Sequence, residues 1–365
     1  MHRVQLHYTL SREAGAALVR HPLMALLQAV EASGSISAAA RSLGLSYRHV
    51  WGELKRWEDE LGNELIVWEK GQSARLSPFG AKLMWAERQA QARLAPQIEA
   101  LSADLERAFA VAFDPDASIL KLHASHDDAL PALRGLAARE HNLHLDIHFT
   151  GSVDAIAALN AGRCIMAGFH TRPQPVKGSL AQRTYQPLLK PGLHKIIGFG
   201  RRTQGLIVAP GNPLDIRSMA DAVHKGARFV LRAPGSGTRV LLEELLADAG
   251  LRPADLAGDG HNEPSHAAVA QAVASGAGDA GLGIEGAARS RGLDFVALAQ
   301  EDYHLVCLKS ALELPAVTAL RQVLQSAGWR AQMAALPGYQ IAHCGEVQAL
   351  THQLPWWSFS RKKRQ

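Results

Sequence analysis

Three short stretches carry hydroxyls beside flexible backbone: Ser125-His126, Thr150-Gly151-Ser152 and Gly235-Ser236-Gly237-Thr238-Arg239. Each follows a run that reads as a strand and precedes one that reads as a helix. A hydroxyl-bearing turn at a helix start aims backbone N–H groups and the positive end of the helix dipole outward, which suits a small anion. Arg239 can add a charge-assisted, bidentate contact; the plain alternative is a helix cap with a surface arginine. His126, His170 and His266 are further candidates, since a pocket histidine titrates near neutral pH and makes affinity pH-dependent; singly, each also fits an ordinary structural role. Asp127 and Asp128 stand at a helix start, where adjacent acids cap the helix or favour its dipole more readily than they catalyse. Gly281-x-Gly283-x-x-Gly286 matches the dinucleotide pattern but comes late and lacks the following acidic partner. No nucleophile elbow or metal cluster is evident, so neither catalytic residues nor a metal or cofactor is expected.

A second constellation lies near the N-terminus. Ser35 and Ser46 are expected N-caps of two helices separated by Gly44, the arrangement of a helix-turn-helix. On the second of these, Tyr47, Val50, Leu54, Trp57 and Leu61 recur at helical spacing and form the expected buried stripe. The other face presents Ser46, Arg48, His49, Gly52, Lys55 and Arg56, with Tyr47 at its edge. Such a donor-rich face with a glycine in its middle suits close approach to a DNA groove, where Arg and Lys meet phosphates or guanine edges. A solvated helix face is the bland alternative. Glu64–Trp68 and Ala74–Ser77 then read as two strands of a wing, with Lys70 and Gln72 at its tip and Arg75 at its base.

The elements that must position these residues follow from length and pattern. A chain of 365 residues, 47% hydrophobic and 20% charged, is globular and long enough for two or three domains. The expected division is a winged helix-turn-helix over 1–78, a long dimerisation helix and linker over 79–116, an α/β domain over 117–350 and a basic tail over 351–365. Pro78 opens the long helix, and Pro96 is expected to kink or divide it. From Ile119 onward strands and helices alternate as in parallel α/β layers: strands at Ile119–Ala124, Leu143–Phe149, Cys164–Gly168, Gly205–Ala209 and Arg228–Arg232, and a helix at Arg239–Ala249. In such sheets ligands sit beyond the carboxyl ends of the strands, so the three polar turns are expected to meet at one crevice. The opening MHRVQLHYTL lacks a signal-peptide pattern, and no stretch approaches the roughly 18 apolar residues of a membrane span. Cys164, Cys307 and Cys344 are far apart. A cytoplasmic protein with no membrane partner is expected. The net charge of +5 resides almost wholly in Arg361, Lys362, Lys363 and Arg364, read as a solubilising end, so DNA binding must come from local charge.

GSISAAARSLGLSYRHVW and LIVWEKGQSARLSPFGAKL resemble the winged helix-turn-helix of molybdate-responsive ModE-type regulators, which are related to the LysR type. That resemblance, over residues 22–110, implies a homodimer, or a homotetramer built from it, on an inverted repeat of double-stranded DNA. Residues 46–56 would lie in successive major grooves. SHDDAL, FTGSVDAIAALNAGRCIMAGFHT, RRTQGLIVAPGNP, RAPGSGTR and GAGDAGLGIEGAAR resemble the two-lobed (type II) periplasmic-binding-protein-like domain fused to such heads, and also a domain of some molybdopterin-biosynthesis proteins. The implied lobes are 117–200 with 300–350, and 201–299. The implied effector is a small anion, molybdate or tungstate, held at Ser125, Ser152 and Gly237-Thr238. The tyrosine that commonly completes such a site is absent from GDAGLGIEG, and the next along is Tyr303. His126, His170, Arg239 and His266 would instead suit a carboxylate such as formate. The implied role is a transcription regulator, with molybdoenzyme genes such as those of formate dehydrogenase as associated targets. A molybdenum-cofactor or oxyanion-handling protein is the alternative.

Overall fold

The computed structural model describes residues 21–68, 73–114, 116–258 and 262–357. Along the chain two units separate, Met1–Ile98 and Glu99–Gln365. Three helices open the first: α1 (Pro22–Ser33), α2 (Ile36–Ser42) and α3 (Tyr47–Leu61). Local chemistry fixes their ends. The Ser35 and Ser46 hydroxyls accept the Ala38 and His49 N–H groups at 3.3 and 3.2 Å, and Gly34 closes α1 in the left-handed region (φ 61°). Leu23, Leu26, Leu27 and Val30 of α1 pack on Ile36, Val50 and Leu54.

One member of the expected stripe on α3 behaves differently, and one residue outside it joins the core. Tyr47 is 51% exposed, because it begins the helix ahead of the first turn that meets the core. In return Glu58 is buried. Its Oε1 accepts the Leu65 and Ile66 N–H groups at 2.8 and 3.3 Å, and its Oε2 accepts Lys55 at 2.6 Å. Burial pushes its pKa up, but Lys55 and the two N–H groups outweigh that and hold it below the usual carboxylate range.

The wing pairs β1 (Ile66–Val67) with β2 (Arg75–Leu76) in antiparallel register, Ile66 opposite Leu76. It is shorter than the expected strands, and Lys70 and Gln72 at its tip lie outside the described residues. Behind it, α4 (Pro78–Phe113) runs as one helix, so the division expected at Pro96 does not occur. Gly80 is what lets α4 approach the wing: a Cβ there would lie 2.2 Å from the Leu65 carbonyl oxygen. Gly80→Ala is therefore expected to destabilise the head by roughly 2 kcal/mol. Thermal melting would check this, and an unchanged midpoint would show that the strand shifts freely.

The second unit is an α/β domain. Its elements are β3 (Ser118–Ala124), α5 (Ala129–His141), β4 (Leu143–Phe149), α6 (Ser152–Asn160), β5 (Met166–Thr171), α7 (Leu180–Tyr185), β6 (His194–Val208), α8 (Met219–His224), β7 (Phe229–Arg232) and α9 (Gly237–Asp248). There follow β8 (Asn262–Glu263), α10 (His266–Ala274), β9 (Ala280–Ile284), α11 (Glu285–Arg289), β10 (Asp294–Leu308), α12 (Pro315–Gln325), α13 (Ala327–Ala335), β11 (Tyr339–Gln340), β12 (Val347–Ala349) and α14 (Leu350–Gln353). One sheet runs β4-β3-β5-β10-β6-β9-β7-β8, with β11 and β12 also on β6. Strands β3, β4 and β5 are mutually parallel, as are β7, β8 and β9, while β6 and β10 are antiparallel to each other along 15 residues apiece.

Those two long strands make the lobes. Strand β5 takes Asp302–Cys307 of β10, and β9 takes Gln204–Val208 of β6, so each long strand serves one lobe at one end and the other lobe at the other. The expected strand Gly205–Ala209 is only the far end of β6. The expected strand Cys164–Gly168 lies later, as β5, because Met166 to Thr171 are all buried; Phe169 and His170 are thus in the strand and not beyond it. Leu120, Leu133, Leu145 and Val323 anchor one lobe core, and Leu206, Phe229, Leu242 and Leu282 the other.

Candidate functional site

The three polar turns do converge. Ser125 follows β3, Ser152 opens α6, and their hydroxyls are 3.0 Å apart and buried. Thr150, partly buried, donates its N–H to Ala124. Across the gap, a Cβ on Gly151 would meet the Gly235 carbonyl oxygen at 2.7 Å, and one on Gly237 would meet the Ser152 hydroxyl at 3.3 Å and the His170 ring at 3.4 Å. Glycine at 151 lets the backbones of opposite lobes approach, and glycine at 237 leaves room for the Ser152 and His170 side chains. Ser236 caps α9, accepting the Arg239 N–H at 3.3 Å, and Thr238 is buried behind it. His170 is stacked on Tyr303 at 4.0 Å between centroids, with neither ring nitrogen hydrogen-bonded. His266 opens α10, buried, its Nδ1 without a partner. His126 stands at the rim: it packs on Phe149 and its Nε2 is 3.8 Å from Glu99. Arg239 is turned to Glu243, to which its Nε donates at 3.0 Å.

Beneath these turns runs an ion network that the sequence reading did not contain. Arg202 of β6 faces Glu301 of β10 in register and donates Nε and Nη2 to its Oε2 at 2.9 and 2.8 Å. Its Nη1 donates to Asp127, which also accepts the Tyr339 hydroxyl at 3.0 Å. Gln204 donates to Glu301 at 2.9 Å and to Thr238 at 3.2 Å. The chain Tyr339–Asp127–Arg202–Glu301–Gln204–Thr238 thus joins the first polar turn to the third across the point where the lobes meet. The other oxygen of Asp127 accepts the Ala129 N–H at 2.8 Å, so the helix-start role expected of it is met as well.

Burial opposes ionisation of both acids, but Arg202 outweighs it: Asp127 is held at about 2 and Glu301 below its usual range. The histidines move the other way from protonation. Burial, then Arg232 and Arg202, push His266 well below its ordinary value; burial and Arg202 push His170 down too. Both are neutral at pH 7. Among the described residues no group of three or more His, Cys, Asp or Glu is placed to hold a metal ion.

Residues 133–325 match the family described as "PBP superfamily domain". The chain belongs to the PBP superfamily. In this superfamily member, residues 22–81 match a further family, the bacterial regulatory helix-turn-helix protein of the lysR family, so the head is a LysR-type helix-turn-helix. YvgK of Bacillus subtilis (strain 168) is 32% identical over 199 residues, which are 54% of this chain and 64% of YvgK, so the chain spans under two thirds of that relative. A protein from the ferredoxin 2Fe-2S gene 5' region of Clostridium pasteurianum is 29% identical over 109 residues, 30% of this chain and 96% of that one. Among solved structures, an H2O2-bound mutant of OxyR from Corynebacterium glutamicum is 17% identical, with a TM-score of 0.45 over 85% of this chain and 92% of its own.

On the LysR-type head, the N-cap Ser46 and, on α3, Arg48, His49, Gly52, Lys55 and Arg56 are all exposed. Lys55 also lies 5.0 Å over the Trp51 ring, and Arg56 is held by Glu53 at 2.5 Å. Arg48 enters no ion pair among the described residues. Arg75 is exposed on β2. Gly52 is the informative residue. Its backbone is not in the left-handed region, and a Cβ there would touch nothing within 4 Å.

Proposed function

We propose that the protein is a cytoplasmic, one-component transcription regulator that binds an inverted-repeat operator as a homodimer or a homotetramer and answers to a small anion held between its lobes. The observation that carries the DNA half is Gly52. A glycine inside a helix costs about 1 kcal/mol relative to alanine, and neither packing nor backbone conformation asks for it here. A groove wall pressed against the middle of α3 does. Exposed Trp85, Leu94, Leu101, Phe109 and Phe113 on α4 support a dimer through that helix. The anion reading, whether molybdate, tungstate or a carboxylate such as formate, is supported by the meeting of Ser125, Ser152, Ser236 and Thr238. Control of molybdoenzyme genes, formate dehydrogenase among them, is the target that the sequence resemblance suggests.

Gly52→Leu tests the DNA half. With an operator selected from random duplexes, it is expected to lower affinity at least about tenfold while leaving the melting temperature equal or higher. Arg48→Ala should weaken DNA binding too, without altering the heat of anion binding. Full affinity in Gly52→Leu would mean that α3 does not enter a groove.

A further inference from the structure

One cation in the crevice has no counterpart in the network just described. Arg232 is the last residue of β7, immediately before the turn that carries Ser236 and Thr238. Its side chain is 5% exposed, and its Nε and Nη1 are buried without any hydrogen-bond partner. Buried polar groups are almost always paired, and a buried guanidinium left open is disfavoured by far more than a neutral group. Around it stand Arg202 of β6, Glu301 of β10, Glu263 of β8 and His266 at the start of α10. Burial and the repulsion of Arg202 bring Arg232 down to about 10, with Glu301 and Glu263 offsetting only part of this, so it remains charged at neutral pH. Arg239, the more conspicuous arginine in the sequence, already has Glu243.

We propose that Arg232 is the charged anchor of this crevice and that its ligand is a small monocarboxylate, taken up together with a proton. The inference rests on the anion reading above and narrows it. Asp127 and Glu301 share Arg202, which leaves one surplus negative charge, and Arg232 balances it from a distance. A divalent tetrahedral oxyanion would bring two more negative charges into a buried cluster that Glu263 already makes more negative. A monocarboxylate brings one, which a proton on His266 cancels. Burial, then Arg232 and Arg202, oppose the protonation of His266 and explain why it waits for the ligand. An anion seated on Arg232 reverses that sign. Affinity therefore rises as pH falls.

The test is calorimetry of the full chain with formate, acetate, pyruvate and molybdate, in two buffers of different ionisation enthalpy. The expected result is saturable binding of at least one monocarboxylate with net proton uptake, and no heat from molybdate. Arg232→Met should then lower carboxylate affinity by roughly 30-fold or more, and Arg239→Met by less than about threefold. Molybdate binding that survives Arg232→Met would overturn the proposal while leaving the crevice as an anion site. Silence of all four anions would overturn the ligand class, and operator binding by the head would still stand or fall on the Gly52→Leu result. A second readout needs no ligand. Arg232→Met should melt within about 5 °C of the parent, since relief from burying a guanidinium without hydrogen-bond partners offsets the loss of its attraction to the nearby acids. A fall of more than about 5 °C would make Arg232 a structural residue and overturn its role as anchor.

Discussion

Arg202→Met is expected to destabilise the PBP-type unit by roughly 3–5 kcal/mol, more than any other single substitution proposed for this chain. The reason is what it leaves behind. Asp127 and Glu301 are both almost fully buried and both held ionised by this one guanidinium, so its loss strands two carboxylates with no water to solvate them. Urea unfolding monitored by far-UV circular dichroism would measure the loss. Adding Glu301→Gln to Arg202→Met should restore part of it, because one stranded charge is removed with its partner. A cost under about 1 kcal/mol for the single change would mean that water reaches these groups in solution.

The second large effect is on pH. His304 is buried and pushed down to about 4, chiefly by burial, while its Nε2 stays within 3.0 Å of the Thr171 hydroxyl. His170 and His266 are lowered as well. A histidine whose folded value is depressed binds its proton more readily in the unfolded chain. Its neutral form carries no penalty above the unfolded value near 6.5, and stability is lost as pH falls from there toward the folded value. For His304 alone this amounts to roughly 3 kcal/mol between pH 6.5 and 4. Asp127, at about 2, acts only below that window. Melting temperatures from pH 7.5 to 4.5 should therefore drop steeply below 6.5, and His304→Asn should flatten the curve. A level profile down to pH 5 would contradict the burial of these rings.

Much of this was legible in the sequence because local chemistry writes it there. Ser35, Ser46 and Gly34 announce helix ends through bonds that span a few residues. Ser125, Ser152 and Thr238 stand where apolar runs give way to small polar ones, the usual signature of a strand passing into a helix. Arg202, Gln204, Glu301 and Arg232 were hidden for the opposite reason. They sit inside strands, where a cluster such as Arg201-Arg202-Thr203-Gln204 reads as a loop, and their partners are far along the chain: Glu301 lies 99 residues from Arg202. Only the pairing of β6 with β10 sends Arg202 and Glu301 to one face and Arg201 and Asp302, bonded at 2.6 Å, to the other. Tyr47 failed as a stripe residue because periodicity cannot tell the first helical position from the second turn. Glu58 was invisible because no pattern marks an acid that is buried in order to cap the backbone of a strand.

The sharing of β6 and β10 also bears on how such a molecule can be inherited. The chain leaves the first lobe near Thr203 and returns near Gln300, and these two residues are register partners whose side chains are hydrogen-bonded at 3.0 Å. The whole second lobe is therefore an insertion whose entry and exit coincide, the arrangement in which one module is most readily exchanged for another without disturbing its host. A single crossover cannot swap it, but two at these neighbouring points can. Recombination of that kind would replace Arg232, Thr238 and His266 together and keep Ser125, Ser152 and His170, giving descendants that differ in what they recognise while retaining half of the crevice.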